Sequence, residues 1–405
     1  HQKDICGAMV AYKIARLLIR DMISDSDYRN TLDNYYKVLA GLGTVCDVMP
    51  LTAENRHIVK QTLSLLSDNS PVVGINSLLD SCGVSPSGIS SFTLGFVIGP
   101  CINAEGRLTG NLHDSISLLL CNNKQVTSTI ADSLKKLNDE RKLHCKRAED
   151  IADEMMDDTQ DSSNNIILLY IPDILESVCG IVAGRVKEKY SRPCIVATNT
   201  SSGLLKGSGR SVEGYNLFEN LNKYNYLFEK VGGHSLAVGL SITEDNYNIL
   251  NKKLNEDSLS MDQDIFTNSI VPIDLFMPMS KVNDRFVEEL SLLEPFGEGN
   301  EKPSLCSENV ILYHLKPIGA NNNALKFYFI DNGRKIEAIY FGNLEFIYKK
   351  LHSMMDDKTF TGLHNSTLET VHMDCIYYPS FNTWNNVKSI QFILSDIKLS
   401  DLEMV

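Results

Sequence analysis

The stretch Ile166-Ile167-Leu168-Leu169-Tyr170-Ile171 is a short, unbroken apolar run, and such a run is typical of a buried strand. A helical pattern follows at residues 178–190, and a second apolar run follows at 194–197. A further helix is predicted near 215–221 and a further strand at 237–242. Strands and helices alternating in this way predict an α/β domain, which we place at residues 163–258.

Apolar residues recur at helical spacing on the N-terminal side of this domain, without Pro or Gly between them. They are Ile130, Leu134, Leu137, Cys145, Ala148, Ala152 and Met155. The pattern predicts one long helix over residues 126–156, within a connecting segment at 124–162. Residues 1–123, with helices expected at 6–23 and 54–66, form a first domain.

The C-terminal part of the chain changes character and becomes rich in strand-like runs. These runs lie at residues 310–315, 326–330, 337–341 and 390–394. Many short strands with few helices predict a small β-barrel, which we assign to residues 259–405. The whole chain is therefore expected to be an α/β protein with an additional β-barrel domain.

Composition limits the possible functions of the 405 residues. The net charge of −13 argues against a protein that coats nucleic acid through a generally basic surface. A local exception is the segment 185–210, which contains six basic residues and a single acidic one, Glu188. The ten cysteines form no C-x-x-C pair, which argues against a zinc site or a disulfide framework and favours a reduced, cytoplasmic protein. No apolar stretch approaches the roughly 18 residues of a membrane span.

Asp47 is the first candidate for chemistry. The run Leu42-Gly43-Thr44-Val45-Cys46 is predicted to be a strand that ends on Asp47, and Pro50 prevents its continuation. A carboxylate held at a strand end suits a hard cation such as Mn²⁺ or Mg²⁺. One Asp cannot hold a catalytic metal, however, and the alternative that it caps a loop or helix stays open.

Three further segments contain candidate phosphate ligands. In Gly99-Pro100-Cys101-Ile102-Asn103-Ala104-Glu105-Gly106-Arg107-Leu108, a tight loop is expected to present Asn103 and Arg107; a structural turn with a surface Arg is the alternative. Lys206-Gly207-Ser208-Gly209-Arg210-Ser211 is expected to be a loop at a helix start, with glycines that admit an anion and Ser208, Arg210 and Ser211 as its ligands. The alternatives are that Ser211 is an N-cap and that Arg210 pairs with Glu213. Gly232-Gly233-His234 adds an imidazole next to two glycines.

Taken in order, five segments resemble the later motifs of the DHH phosphoesterase superfamily. They are residues 42–47, 99–107, 180–185, 206–211 and 232–234. The segment Leu293-Glu294-Pro295-Phe296-Gly297-Glu298-Gly299-Asn300 then resembles the entry to the oligonucleotide-binding barrel of RecJ-type nucleases. Residues 382–391 are similar to the last strands of that barrel.

The resemblance implies the C-terminal part of a DHH catalytic domain, a long connecting helix, a DHH-associated domain and an oligonucleotide-binding barrel around a cleft. It implies 5′→3′ hydrolysis of single-stranded DNA with Mn²⁺ or Mg²⁺ in recombination and repair. Asp47 falls on a metal-ligand position, and Arg107, Ser208, Arg210 and His234 fall on positions that hold phosphates. A monomer is expected, with a single-stranded-DNA-binding protein or a helicase as candidate partners.

The chain also departs from the family pattern. The early Asp-x-Asp-Gly and Asp-His-His motifs do not occur, and Asp25-Ser26-Asp27 is expected to be only a polar turn. Leu175 stands where the family often has His, and Gly209 stands where Ala is more usual. Together with a start at His1, these departures predict an N-terminally truncated, inactive fragment. Two alternatives stay open, namely a non-catalytic single-strand-binding module and a phosphodiesterase for small oligonucleotides or cyclic dinucleotides.

Overall fold

The computed structural model describes residues 4–68, 70–158, 164–267, 271–319, 322–365, 369–384 and 387–400. They divide into two compact units, one made of residues up to 49 together with 57–270, and one made of residues 50–56 together with 271–405. Among the described residues, no helix is both long and apolar enough to cross a membrane.

The first unit begins with a group of helices. These are α1 (Gly7–Met22), α2 (Ser26–Cys46), α3 (Ala53–Ser67, whose first residues are grouped with the second unit), α4 (Val73–Ser81), α5 (Gly99–Thr109), α6 (His113–Leu120) and α7 (Lys124–Asp158). A core that includes Val38, Leu78, Leu94 and Leu134 joins α2, α4 and the start of α7. The long helix is confirmed, and Asp25 is the N-cap of α2, in agreement with the predicted polar turn.

Asp47 does not end a strand, and that prediction is wrong. Residues 42–46 are the last part of helix α2, and Asp47 is its exposed C-cap. Glycines lower helix propensity, but here they permit close packing. A Cβ at Gly41 would lie 2.1 Å from the Thr62 Oγ1 atom, and one at Gly43 would lie 2.5 Å from the Ala8 Cβ atom. Tertiary packing therefore overrides the local preference.

Residues 99–108 do not form a loop either. They lie in helix α5, where Pro100 occupies the first turn, a position that needs no backbone donor. The helix ends at Gly110, whose φ of 72° is left-handed. Asn103 and Arg107, four residues apart, therefore lie on one exposed helical face rather than in a turn.

The remainder of the first unit is a five-stranded sheet with helices on both faces. Its elements are β1 (Ile167–Tyr170), α8 (Glu176–Tyr190), β2 (Cys194–Asn199), β3 (Leu205–Arg210), α9 (Leu217–Asn222), β4 (Phe228–His234), β5 (Ala237–Ile242), α10 (Glu244–Ser258) and α11 (Asp264–Thr267). The strand order is β1-β2-β3-β5-β4, with β1 and β2 parallel and the other pairs antiparallel. The C-terminal part of α7 and α8 cover one face, and α9 and α10 cover the other.

Residues 206–210 lie in strand β3 and Ser211 follows its end, so the prediction of a loop at a helix start is also wrong. In strand β3 alternate residues point to opposite faces. Gly207 and Gly209 face the core, where a Cβ at Gly209 would lie 2.7 Å from the Val238 Cγ2 atom. The glycines thus make room for core side chains, and Ser208 and Arg210 occupy the other face.

The second unit is a closed barrel. Strands β7 (Leu305–Ile318), β8 (Ala324–Asp331), β9 (Arg334–Tyr340), β11 (Val387–Leu399) and β10 (Val371–Trp384) pair in that order, and β10 pairs back with β7. The short strand β6 (Leu275–Phe276) adds to β7, and helices α12 (Asp284–Ser291), α13 (Leu344–Met354) and α14 (Asp357–His364) accompany the barrel. Alternate strand residues, including Phe327 and Phe329, fill its interior. The predicted α/β fold with a β-barrel is confirmed.

Candidate phosphate-binding face

Strand register brings four of the predicted ligands, Ser208, Arg210, Gly232 and His234, onto one side of the first unit's sheet. Arg210 pairs with Ala237, and Ala237 pairs with His234. One step along, Ser208 pairs with Gly239, which pairs with Gly232; beyond them, Lys206 pairs with Ser241, which pairs with Lys230. Directly paired residues point to the same face of a sheet. We call this surface the polar face and define it by Lys206, Ser208, Arg210, Lys230, Gly232, His234, Ala237, Gly239 and Ser241.

The centre of the polar face has no side chain. Both Gly232 and Gly239 are exposed, and a Cβ built on either residue would meet no atom within 4 Å. The fold itself therefore does not require glycine at these two positions. An extended ligand could approach the backbone there without obstruction.

Arg210 lies at the border between the covered and the open parts of the polar face. Its Nη1 donates to the Ser208 Oγ atom at 3.1 Å and to the Gly209 carbonyl at 2.8 Å. Among the described residues, no carboxylate lies within ion-pair distance of Arg210, so the alternative pairing with Glu213 is not observed. Helix α8 makes room for this side chain with Gly180, where a Cβ would lie 2.9 Å from both the Arg210 Nη2 and the Ser208 Oγ atoms.

Arg107 contributes a second guanidinium near the first. Its Nη1 donates to the Ser177 carbonyl at 3.1 Å, and the Ser177 hydroxyl donates to the Arg107 carbonyl at 2.7 Å. These two bonds connect the end of α5 with the start of α8. Burial, and in addition the positive charge of Arg107, lower the pKa of Arg210 below its usual value. An anion bound between them would relieve that repulsion.

His234 ends strand β4 with its ring exposed. The Leu236 backbone N–H donates to the His234 Nδ1 atom at 3.4 Å. An imidazole that accepts at Nδ1 carries its proton on Nε2 when neutral, and that nitrogen can donate to an oxyanion. The preceding Gly233 has a φ of 147°, and a Cβ there would lie 2.2 Å from the Ala237 carbonyl oxygen. Gly233 therefore fixes the hairpin that positions His234.

Two predicted ligands lie apart from this arrangement. Ser211 is buried, and its hydroxyl donates to the Tyr215 carbonyl at 2.7 Å, so the hydroxyl is already engaged. It is not an N-cap either, because α9 is capped by Asn216. Asp47 belongs to no cluster: in the part of the chain that the structure describes, no three His, Cys, Asp or Glu side chains are grouped so as to hold a metal ion.

Residues that sequence reasoning missed complete the polar face. Lys206, Lys230 and Gly239 share it because of the strand register, which a single sequence does not reveal. Lys206 is paired with Glu176 at 3.0 Å. Gly180 lies in a motif segment, but its role depends on a contact with a strand some 30 residues away. The alternation Gly-Ser-Gly-Arg was the one available signal for the face, because period two is typical of a strand.

Glu105, in the same motif as Arg107, holds the α5–α6 corner. Its buried carboxylate accepts bonds from the Ser115 N–H at 2.8 Å, the Ser115 hydroxyl at 2.8 Å and the Asp114 N–H at 3.2 Å. Burial alone would raise the pKa of Glu105, but these hydrogen bonds outweigh it and lower the pKa. The carboxylate thus satisfies donors at the start of α6.

We expect Glu105→Gln to lower the free energy of unfolding by roughly 1–3 kcal/mol, because the amide cannot accept all three bonds. A lowered pKa in the folded state means that Glu105 stabilises the fold above the ordinary carboxyl pKa. That contribution is lost as the pH falls through the folded-state pKa. Urea titrations at pH 7 and at acid pH should show the difference between the two proteins shrinking on acidification. Glu188→Gln, an exposed carboxylate on α8, is the control; an equal loss in both variants would contradict this role.

Two family models match this chain, one within each of its two compact units. The DHHA1 domain family model matches residues 163–257, and the RecJ OB domain family model matches residues 273–396. The single-stranded-DNA-specific exonuclease RecJ of Bacillus subtilis is 27% identical over 405 residues, covering 99% of this chain and 48% of that protein. The protein of the same name from Escherichia coli is 32% identical over 268 residues, covering 63% of this chain and 46% of its own length.

Solved structures are similar over most of the chain. The crystal structure of Thermus thermophilus RecJ in complex with Mg²⁺ matches with a TM-score of 0.73 at 24% identity, over 91% of this chain and 52% of that one. The complex of the same protein with Mn²⁺ matches with a TM-score of 0.72 at 23% identity. This likeness concerns the fold alone. The chain spans about half the length of the curated relatives it matches.

Proposed function

The chain belongs to the RecJ family of the DHH phosphoesterase superfamily, and from that premise we propose that it acts in the 5′→3′ hydrolysis of single-stranded DNA, in recombination and repair. The observation that carries the proposal is the polar face, where Arg210, with Arg107 near it, lies beside the exposed Gly232 and Gly239. We call these two glycines the glycine floor. Such a surface matches the backbone of a single strand, whose phosphates recur along its length while its bases vary.

The part played by the polar face is to hold the strand. Arg210 and Arg107 would bind phosphate oxygens through their guanidinium groups, and the His234 Nε2 atom would donate a further bond. Gly232 and Gly239 leave space for the sugar–phosphate backbone to lie against the sheet. None of these groups distinguishes one base from another, so binding should be independent of base sequence.

The second unit would bind single-stranded DNA as well. Its barrel has the five-stranded, closed arrangement of an oligonucleotide-binding fold, with β9 and β11 parallel. We propose that it binds nucleotides mainly by stacking and by charge. A single-stranded-DNA-binding protein or a helicase as partner, a monomeric state and a cytoplasmic location are part of the same proposal. We also propose that the chain is divided into four parts with the boundaries 1–123, 124–162, 163–258 and 259–405.

We propose Mn²⁺ or Mg²⁺ as the metal of the reaction, since the similar structures are complexes with these ions. When bound, such an ion activates water and neutralises charge on the phosphate. The described residues of this chain do not fit a complete metal site, because Asp47 is an isolated, exposed carboxylate. Asp47 is proposed as one ligand among others that these residues do not supply.

The purified 405-residue chain should therefore bind single-stranded DNA and release almost no nucleotide from it, even with Mn²⁺ present. The amount of acid-soluble nucleotide released from a labelled oligonucleotide measures this hydrolysis. Rapid Mn²⁺-dependent digestion that Asp47→Asn leaves unchanged would contradict the assignment of this carboxylate.

The glycine floor offers a test of binding that does not depend on charge. We expect Gly239→Val to fold normally, because nothing lies within 4 Å of the new Cβ, and valine favours strands. The branched side chain would stand where the strand lies, so affinity should fall about tenfold. Anisotropy titrations with an oligothymidylate and with a mixed-sequence strand measure this loss. Gly7→Val, also in open space but on α1, is the control; full affinity in folded Gly239→Val would remove the floor from the binding site.

A further inference from the structure

Two thiols on neighbouring helices of the first unit lie in contact, apart from the polar face. Cys82 is the C-cap of α4, and Cys101 lies in the first turn of α5. Their Sγ atoms are 3.8 Å apart. Cys82 is half-buried, whereas Cys101 is only 1% exposed. One thiol of the pair can therefore be reached by a small solute, while the other is kept next to it and away from solvent.

One face of helix α7 sets the chemistry around this pair. The Asn138 side-chain amide donates to the Cys101 Sγ atom at 3.3 Å. Lys135 and Lys142 lie on the same helical face, and both are paired with Asp139, at 2.8 Å and 3.4 Å. The hydrogen bond from the Cys101 thiol, assisted by the two lysines, lowers the pKa of Cys82, although partial burial opposes this. Two cations against one carboxylate favour a thiolate at Cys82.

We propose that Cys82 and Cys101 form a redox-responsive pair, in which a peroxide converts the two thiols into a disulfide between α4 and α5. The geometry permits the bond with small movements. The sulfurs must approach by less than about 2 Å to reach the disulfide length of about 2.05 Å. Cys82 lies at a helix end, where the backbone adjusts more easily than within a helix.

The reaction has two balanced steps. The Cys82 thiolate attacks one oxygen of hydrogen peroxide, so an S–O bond forms, the O–O bond breaks and hydroxide leaves, giving a sulfenic acid at Cys82. The Cys101 sulfur then attacks the Cys82 sulfur, forming the S–S bond and breaking the S–O bond. The displaced hydroxyl group takes up the thiol proton of Cys101 and leaves as water. Two cysteine sulfurs are oxidised, and one peroxide is reduced.

The position of tryptic sites makes the test direct. No Lys or Arg occurs between Lys60 and Arg107, so trypsin releases a peptide, residues 61–107, that contains Cys82 and Cys101 and no other cysteine. The intact chain is treated with a modest excess of hydrogen peroxide at pH 7, denatured, alkylated with iodoacetamide and digested. We expect this peptide to carry no alkyl group and to be lighter than the reduced peptide by two hydrogen atoms.

Two controls separate this pair from general thiol oxidation. Cys82→Ser should leave Cys101 reduced and fully alkylated after the same treatment, whereas Cys121→Ser, a half-exposed cysteine near the end of α6, should leave the disulfide yield unchanged. In the native, reduced chain, Cys82 should also react with iodoacetamide at least about tenfold faster than Cys46, because burial raises the pKa of Cys46 to about 11. A peptide that takes up both alkyl groups after peroxide, or that carries sulfinic acid at Cys82 without a disulfide, overturns the proposal.

Discussion

Arg210→Ala should weaken binding of single-stranded DNA by about tenfold to a hundredfold, whatever the base sequence. A charge-assisted hydrogen bond contributes about 1.5–3 kcal/mol, and Arg210 has no carboxylate partner among the described residues to which its charge is already committed. The slope of log affinity against log salt concentration should become shallower by about 0.7, the contribution of one phosphate contact on a single strand. Anisotropy titrations at several salt concentrations measure both quantities.

Arg185→Ala is the matched control for this experiment. Arg185 lies in the same basic stretch of sequence, but its guanidinium is paired with Glu149. Its loss should change affinity and salt slope little, because its charge is already committed to the Glu149 carboxylate. If Arg185→Ala and Arg210→Ala had equal effects, binding would depend on the general charge of the segment rather than on the polar face.

Gly233→Ala should be far more damaging than a substitution at Gly232 or Gly239, where a new Cβ would meet no atom within 4 Å. The new Cβ would lie 2.2 Å from the Ala237 carbonyl oxygen, in a backbone conformation that side chains rarely adopt. We expect the free energy of unfolding to fall by roughly 3 kcal/mol, with loss of most single-strand binding, because the β4–β5 hairpin must shift and move His234.

Its neighbour Gly232 provides the comparison. Gly232→Ala adds the same methyl group one residue earlier, in open space, so the melting temperature should stay near that of the wild type. Thermal unfolding followed by circular dichroism compares the two variants. Equal melting temperatures for Gly233→Ala and the wild type would contradict the close packing of this hairpin.

The sequence predicted the helices and strands of this protein better than it predicted the environment of the candidate binding residues. Helix α7 and the barrel strands followed from periodicity because each buries a regular apolar stripe. The secondary structure of the glycine-containing segments 42–46 and 206–211 was predicted wrongly for one shared reason. Gly43 and Gly209 make room for neighbours that are distant in sequence, whereas local reasoning placed Gly43 in a strand and Gly209 in an anion-binding loop.

The candidate site was predicted in part for a similar reason. Arg107, Ser208, Arg210 and His234 could be named from motifs that resemble a family. The common face of Ser208, Arg210 and His234 depends on the register of β3, β5 and β4, whereas Arg107 lies on helix α5. The same register adds Gly239 to the face, whereas Ser211 is excluded because its buried hydroxyl donates to the Tyr215 carbonyl. The burial of a hydroxyl and the pairing of strands are properties of the folded chain, which a single sequence does not contain.

A crystal structure of the chain with a short single-stranded oligonucleotide would test the central claim most directly. We predict phosphate oxygens within hydrogen-bond distance, about 2.7–3.2 Å, of the Arg210 guanidinium and the His234 Nε2 atom, with the sugar–phosphate backbone lying over Gly232 and Gly239. An oligonucleotide bound elsewhere on the chain, with this face in contact only with solvent, would contradict the account.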